Sequence, residues 1–444
     1  SRNTSSLVSY TDGLVIGTFL NPSSNSTAQA EDKSIFASMN IHDYRCLWIG
    51  MLASGFALNM QLVAQGWLVY EMTSSAINLT LVTLAFMLPQ VVFSLLGGVL
   101  ADRVEKKPLI GWTPAINGIA TLIMGSVIIS DNASFWDFIW VGALNGTVLA
   151  LTIPARTALI PEIVGERLMF NAMAFNTASW NLSRILGPAL AGFIIAIFAS
   201  GDTSSTFGVA LVYFLLSGLY FISAASIIFL KTEGLPVPRA RKNPVQEIAD
   251  GIEYVWRTPA VSGLILLSIL PFLFGLTINT ILPAFSKEVL NGGPDDLGFL
   301  MTSMGGGAIL GSLTLAKMGN IKNKGYWIIG TGSFWGFLVV IFALSETFFV
   351  ATTCIALIGF VSAVNMSMNR SLVQLQVEQH MRGRIMSIDM MSHGLMPLGL
   401  MPIGFIAENI SVSVGLITSG TILCLSTLIF GSLMPKVKAI NTGY

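Results

Sequence analysis

Apolar positions in this chain fall in long continuous runs rather than in narrow stripes. The runs lie near 45–70, 77–100, 108–130, 136–158, 169–199, 206–229, 260–286, 297–316, 326–344, 348–369, 384–407 and 411–434. A helix that crosses a bilayer needs about 20 mostly apolar residues at a rise of about 1.5 Å each. The pattern therefore predicts twelve membrane-spanning helices and an all-α membrane protein. Two stretches break it. Residues 1–43 are rich in Ser, Thr and Asn with no sustained apolar run, which predicts a disordered cytoplasmic tail. Residues 230–259 carry Lys231, Arg239, Arg241 and Lys242 and then a short amphipathic stretch, Val245 to Trp256. That predicts a linker with a surface helix between two six-helix bundles, 44–229 and 260–435, with a short tail at 436–444.

Composition removes the soluble alternative. The chain is 53% hydrophobic and 10% charged, with a mean hydropathy of +0.73. A soluble chain carries about 25% charged residues. Net charge is zero, so no basic field points to nucleic acid. The three cysteines are far apart and have neither disulfide nor metal-site spacing. There is no P-loop, no H-E-x-x-H and no G-x-S-x-G elbow. No enzyme, cofactor or metal is expected, and any work the chain does must draw on a gradient.

Lys and Arg set the orientation. With both termini inside, the cytoplasmic links hold Arg103, Lys106, Lys107, Arg156, Arg167, Lys317, Arg370, Arg382 and Arg384 among others. The outer links hold Lys287 alone, beside many acids. The expected location is a bacterial inner membrane. The two halves also repeat at an offset of 214: Arg156 falls on Arg370, Pro188 on Pro402 and Arg103 on Lys317. Parallel repeats joined by a long linker imply a transporter with its site between the halves, near the midplane.

The link after the second run reads Gly98-Val99-Leu100-Ala101-Asp102-Arg103-Val104-Glu105-Lys106-Lys107. This G-x-x-x-D-R-x-x-K-K pattern resembles the signature between helices 2 and 3 of the major facilitator superfamily, departing at Glu105, where glycine is usual. Gly187-Pro188-Ala189-Leu190-Ala191-Gly192 in span 5 resembles the Gly-Pro motif of antiporter branches. Arg156 to Glu162, Asn171-Ala172 and Arg184 to Gly192 are similar to the bacterial exporter branch that includes the enterobactin exporter and macrolide efflux pumps. The resemblance covers about 44–434. It implies the twelve-helix major facilitator fold, a monomeric working unit in lipid, and export of drug-like compounds or siderophores by proton antiport with alternating access. An importer of the same fold, or a sensor that binds without transporting, stays open.

The resemblance also implies a gate. Gly98, Asp102, Arg103, Lys106 and Lys107 would latch the cytoplasmic side, with Asp102 gripping Arg156 and the start of span 11 near Arg384. The alternative is a solvated basic loop. Asp389 is the carboxylate well inside a span, with Ser392, His393 and Met396 expected on its face. It is either a proton-coupling site with His393 or a member of the gate. Arg184 lies near the middle of span 5, with Asn176 and Trp180 on its face. It serves either a substrate anion or the backbone at the Pro188 break. Gln61, Gln65, Asn145, Asn279, Asn365 and Asn369 sit in spans 1, 4, 7 and 10, which line the cavity in the resembled fold. Each either wets a cavity or joins helices. Small-residue faces at Gly187 and Gly192, and at Gly305-Gly306-Gly307 with Gly311, are expected to pack together.

Overall fold

The computed structural model describes residues 36–199, 206–235, 244–318, 323–378, 381, 385, 388–389 and 392–440. Its long helices follow the apolar runs. Spans 1 to 6 are His42–Thr73, Ala76–Arg103, Lys106–Ile129, Phe135–Met169, Asn171–Ala199 and Thr206–Ile228. A surface helix, Pro244–Arg257, follows. Spans 7 to 10 are Pro259–Glu288, Pro294–Met318, Lys324–Ala343 and Phe348–Gln376. Met396–Asn409 is the described helix of span 11, and Val412–Leu433 is span 12. Among the described residues, eleven helices are long and apolar enough to cross a bilayer, and span 11 completes the two sets of six.

Several helices outrun their apolar cores because polar residues continue the helical hydrogen bonding at the ends. Span 2 runs to Arg103 and span 3 starts at Lys106. The expected loop thus shrinks to Val104 and Glu105, and Asp102 sits on the last helical turn rather than in a loop. Spans 4 and 5 run on as one helical stretch, Phe135–Ala199, broken by non-helical backbone at Gly165, near the end of span 4, at φ 68° and ψ 173°. A side chain there would be strained, and glycine is not. Span 7 is interrupted by a π-turn at Pro271–Gly275, where Pro271 cannot donate to the helical ladder.

The expected tails need correction. Residues 36–43 are ordered: Ala37–Asn40 form a 3-10 turn, the Ser38 amide donates to Asn171 Oδ1 (3.0 Å), and Phe36 packs on Phe175. Residues 436–440 are docked too, with Val437 fully buried and the Gly325 amide donating to Ile440 (3.4 Å). Both segments carry enough apolar surface to bury, which a polarity reading overlooks. Residues 1–35 and 441–444 lie outside the described residues.

Pairing inside the halves is repeated. Spans 2 and 4 pack in one half, as 8 and 10 do in the other; 3 and 6 pack as 9 and 12 do. Gly142 and Gly146 of span 4 lie on Val82 and Phe86. Their offset-214 equivalents, Ala356 and Phe360, receive Gly307 and Gly311 of span 8. In the second pair glycines come from both helices, since Gly359 of span 10 lies on Met304.

The halves meet through spans 5 and 8 and through spans 2 and 11. A side chain on Gly192 would strike the Pro294 carbonyl, and one on Gly298 would lie 2.7 Å from the Pro188 carbonyl. Only part of the expected glycine pairing is realised. Gly192 meets Gly298, and Gly305 meets the backbone of Arg184 and Ile185. Gly187 instead packs on Asn59 of span 1, and Gly306 has nothing within 4 Å.

Two predictions follow from these contacts. Gly298→Val wedges spans 5 and 8 apart and lowers the thermal midpoint of the purified protein by several degrees, whereas Gly306→Ala leaves it unchanged. Equal midpoints would overturn the contact. Lys106 is buried, ion-paired to Glu162 (2.9 Å) and bonded to the Leu235 carbonyl (3.0 Å). Lys106→Met strands Glu162, which is a third exposed, so the loss is put at about 1–3 kcal/mol rather than the full penalty of a broken buried pair. A denaturation midpoint equal to the parent's would refute it.

Candidate functional site

The end where the acidic links lie is closed by bonds between the halves. Tyr70 donates to Glu288, and Lys287 pairs with Glu71. Glu408, at the end of span 11, accepts from the amides of Ala76 (2.7 Å) and Ile77 (3.4 Å) at the start of span 2. That carboxylate satisfies helix-terminal donors and sits at the positive end of the helix dipole. Deeper, Thr83 and Thr280 are 3.4 Å apart, and Thr302 donates to the Ile185 carbonyl (2.9 Å). Sequence reasoning placed these acids only as outer-link residues. The available signal was Lys287, the lone cation at that end, which needed a partner.

Beneath the closure lies a cavity of about 360 Å³ between the halves. Gln61 and Gln65 of span 1, Asn145 of span 4, Arg184 and Pro188 of span 5 and Asn279 of span 7 line it together. Gln61 donates to Gln65 (3.2 Å), and Gln61 Oε1 and Asn145 Oδ1 are buried without a partner. Arg184 is exposed to the cavity and makes no hydrogen bond or ion pair among the described residues. Asn59, Thr83, Thr280 and Ser362 add polar atoms, and the rest of the wall is apolar. Met87, Met301, Met304, Met366 and Met396 come from spans 2, 8, 10 and 11. Thioethers with three rotatable bonds repack around different shapes. A roomy, adaptable wall with one free guanidinium can hold an amphipathic anion.

A second cavity of about 360 Å³ lies in the basic-end half of the N-terminal bundle and meets the first at Leu58 and Asn145. Asn176, Trp180 and Arg156 line it, so Asn176 and Trp180 are one compartment away from Arg184. Arg156 donates to Ser54 Oγ (2.7 Å) and Ser223 Oγ (3.2 Å), and its Nε is buried without a partner.

The expected gate is divided. Lys106 and Lys107 brace the N-terminal half internally. Their amides and ammonium groups bond carbonyls of residues 230–235, the stretch that leaves span 6. Span 3 starts at Lys106, which turns both side chains toward that stretch instead of across to the other half. Arg103 is exposed at the end of span 2. The side chain of Asp102, the region of Gly98 beyond its helical backbone, and Arg384 lie outside the described residues.

Asp389 is buried, accepts from Ser268 Oγ (2.7 Å) and lies 3.7 Å from Arg370 Nε. Its partner is thus Arg370, the repeat equivalent of Arg156. Ser392–Leu395 is a 3-10 turn, so the α-helical register expected from Asp389 through His393 to Met396 does not run through it. The His393 side chain is outside the described residues. Asn365 and Asn369 face a smaller cavity, about 130 Å³, with Asp389 and Arg370. Both also join helices: Asn365 donates to Ile328 O and Thr331 Oγ1 (2.9 Å each), and Asn369 to Leu264 O (3.1 Å). They do not enter the central cavity.

Known proteins agree with this architecture. The profile of the family described as transmembrane secretion effector matches residues 33–442. The staphyloferrin A transporter of Staphylococcus aureus is 26% identical over 75% of this chain and 81% of its own. The enterobactin exporter EntS of Shigella boydii is 26% identical over 66% and 67%. Among solved structures, a bacterial homologue of the lysosomal transporter Spinster superposes with a TM-score of 0.67 at 13% identity, covering 89% of this chain and 95% of that one. The peptide-family transporter PepTSo gives 0.70 at 11%, covering 91% and 99%. The chain belongs to the transmembrane secretion effector family of the major facilitator superfamily: it is a multi-pass membrane transporter of small molecules, and not an enzyme.

Proposed function

We propose that this protein exports an anionic amphipathic molecule of siderophore type from the cytoplasm by alternating access, in exchange for protons. The observation that carries the reading is Arg184, an unpaired guanidinium facing a methionine-rich central cavity. A cation inside a membrane segment costs at least about 2.5–3.5 kcal/mol on insertion scales. That cost is retained where the charge has a use. An iron(III) chelator presents oxygen anions on an apolar frame, and carboxylate or phenolate oxygens pair well with a guanidinium. Two relatives, named for enterobactin export and for staphyloferrin A transport, point to the same substrate class.

Direction follows from charge. The basic end is cytoplasmic by the positive-inside rule. The bonded end is then the outer one, and the described state is closed outside with its cavities toward the cytoplasm, ready to load. The proton site is Asp389. Its carboxylate is buried and held by Ser268, with Arg370 at 3.7 Å. Protonation removes the attraction to Arg370 and releases span 10 from span 11. Deprotonation restores it.

Reconstituted proteoliposomes test each part. Arg184→Ala weakens transport of the anionic substrate about 10- to 100-fold, the loss of roughly 1.5–3 kcal/mol for hydrogen bonds to a charged group. Neutral analogues are spared. Equal effects on charged and neutral substrates would sink the anion reading. Asp389→Asn abolishes flux driven by a proton gradient but leaves substrate exchange intact. Undiminished driven flux rules Asp389 out as the coupling site, and binding without any flux rules out transport of that compound.

A further inference from the structure

Among the described residues, the second cavity contains a charge with no counter-charge. Its described walls come from spans 1, 3, 4, 5 and 6 and include Asn117, Asn145, Thr152 and Asn176, but Arg156 is the one ionisable cation and no Asp or Glu lines it. The guanidinium is held by neutral hydroxyls alone. Ser54 and Ser223 take one hydrogen bond each, and Nε has none. Hydroxyls orient a guanidinium without neutralising it, and an isolated buried charge is strongly disfavoured unless it is paired. The five donors of a guanidinium suit a planar, two-oxygen anion. Trp180 also lines the cavity, with its side chain 47% exposed. An indole in the same cavity as the cation offers a surface for an aromatic ring. The cavity joins the central one at Leu58 and Asn145, on the cytoplasmic side of Arg184 in the orientation proposed above.

We infer that this cavity is a vestibular binding site for aromatic carboxylates: Arg156 takes the carboxylate, Trp180 the ring, and the ligand passes on to Arg184 along spans 1 and 4. The site rests on the export reading for its place in a transport path, but its binding chemistry stands on Arg156 and Trp180. It also gives Arg156 a role beyond the expected latch. In the loaded, outward-closed state the substrate anion occupies the guanidinium that the motif assigns to Asp102. The anion must leave before the latch can form.

The test uses the full-length protein in lipid nanodiscs, with 2,3-dihydroxybenzoate as probe and 2,3-dihydroxybenzamide as its neutral counterpart. Binding is read as quenching of tryptophan fluorescence, with Trp180→Phe defining the share due to Trp180. Expected is saturable quenching by the acid that disappears in Trp180→Phe. It shifts at least ten-fold to higher concentration in Arg156→Ala and recovers in part in Arg156→Lys. The amide binds at least ten-fold more weakly and ignores Arg156. Ser54→Asp guards against a misfolded Arg156→Ala, because it sets a carboxylate beside the guanidinium, preserves the fold and competes with the acid. An unchanged midpoint in both Arg156→Ala and Ser54→Asp overturns the proposal. So does an amide as tight as the acid, or no saturable quenching by the acid in the parent protein. Arg184→Ala keeps the Trp180 signal within about two-fold while losing transport. Transport undiminished in that variant with vestibular binding intact removes the export reading built on Arg184 and leaves this site standing.

Discussion

The halves of this protein are joined by backbone lying against backbone, and the cavities exist because that contact is confined to part of the bundle. Gly192 against Pro294 and Gly298 allows spans 5 and 8 to approach without side chains between them, and Gly404 of span 11 leaves room for the Thr80 side chain of span 2. In a bilayer there is no hydrophobic gain from pressing apolar helices together, so close packing and a few polar bonds supply the cohesion. The bonds run from the acidic ends to the middle, from Lys287–Glu71 to Thr302–Ile185. Along span 8, Gly305 still meets span 5, whereas a side chain on Gly306 would meet nothing within 4 Å. An interface of small residues also has little to repack when the halves rock.

The remaining architecture answers to the expense of charge in hydrocarbon. Each described charge deep in the bundle is either paired or placed on a cavity. Asp389 has Ser268 and Arg370, Lys106 has Glu162 and two carbonyls, and Arg156 and Arg184 face open volume. The repeat makes the contrast sharp. Arg156 and Arg370 occupy equivalent positions, yet only Arg370 has a described carboxylate within reach. Duplication supplied two arginines, and the halves have put them to different uses: one faces a buried acid, the other a wetted pocket.

Much of this was legible in the sequence because the bilayer is a severe filter. Its thickness fixes run length, so the spans could be read directly, and Lys and Arg marked one end. Gln61, Gln65, Asn145, Arg184 and Asn279 were found by asking which polar residues interrupt apolar runs, and they share one cavity. The same question could not separate them from Asn365 and Asn369, which bond to Ile328, Thr331 and Leu264. Helical periodicity gives a face, but which neighbour occupies that face depends on tertiary contact. Lys106 and Lys107 illustrate the same limit. Their motif was visible, but the partners in 230–235 lie more than a hundred residues away. The closure at the acidic end is not legible in the sequence because Glu71, Glu288 and Glu408 gain meaning only when spans 1, 2, 7 and 11 are brought together.

The lone guanidinium of the central cavity has an electrical consequence. A bacterial cytoplasm is negative relative to the outside, and a membrane voltage acts on each elementary charge with about 2.3 kcal/mol per 100 mV. A negatively charged cargo is therefore pushed outward before any ion is exchanged for it. In the proposed exchange an inward proton adds to that current rather than opposing it. Arg184 then need not grip hard: modest affinity at loading speeds release at the far side, and the voltage supplies the direction that tight binding could not.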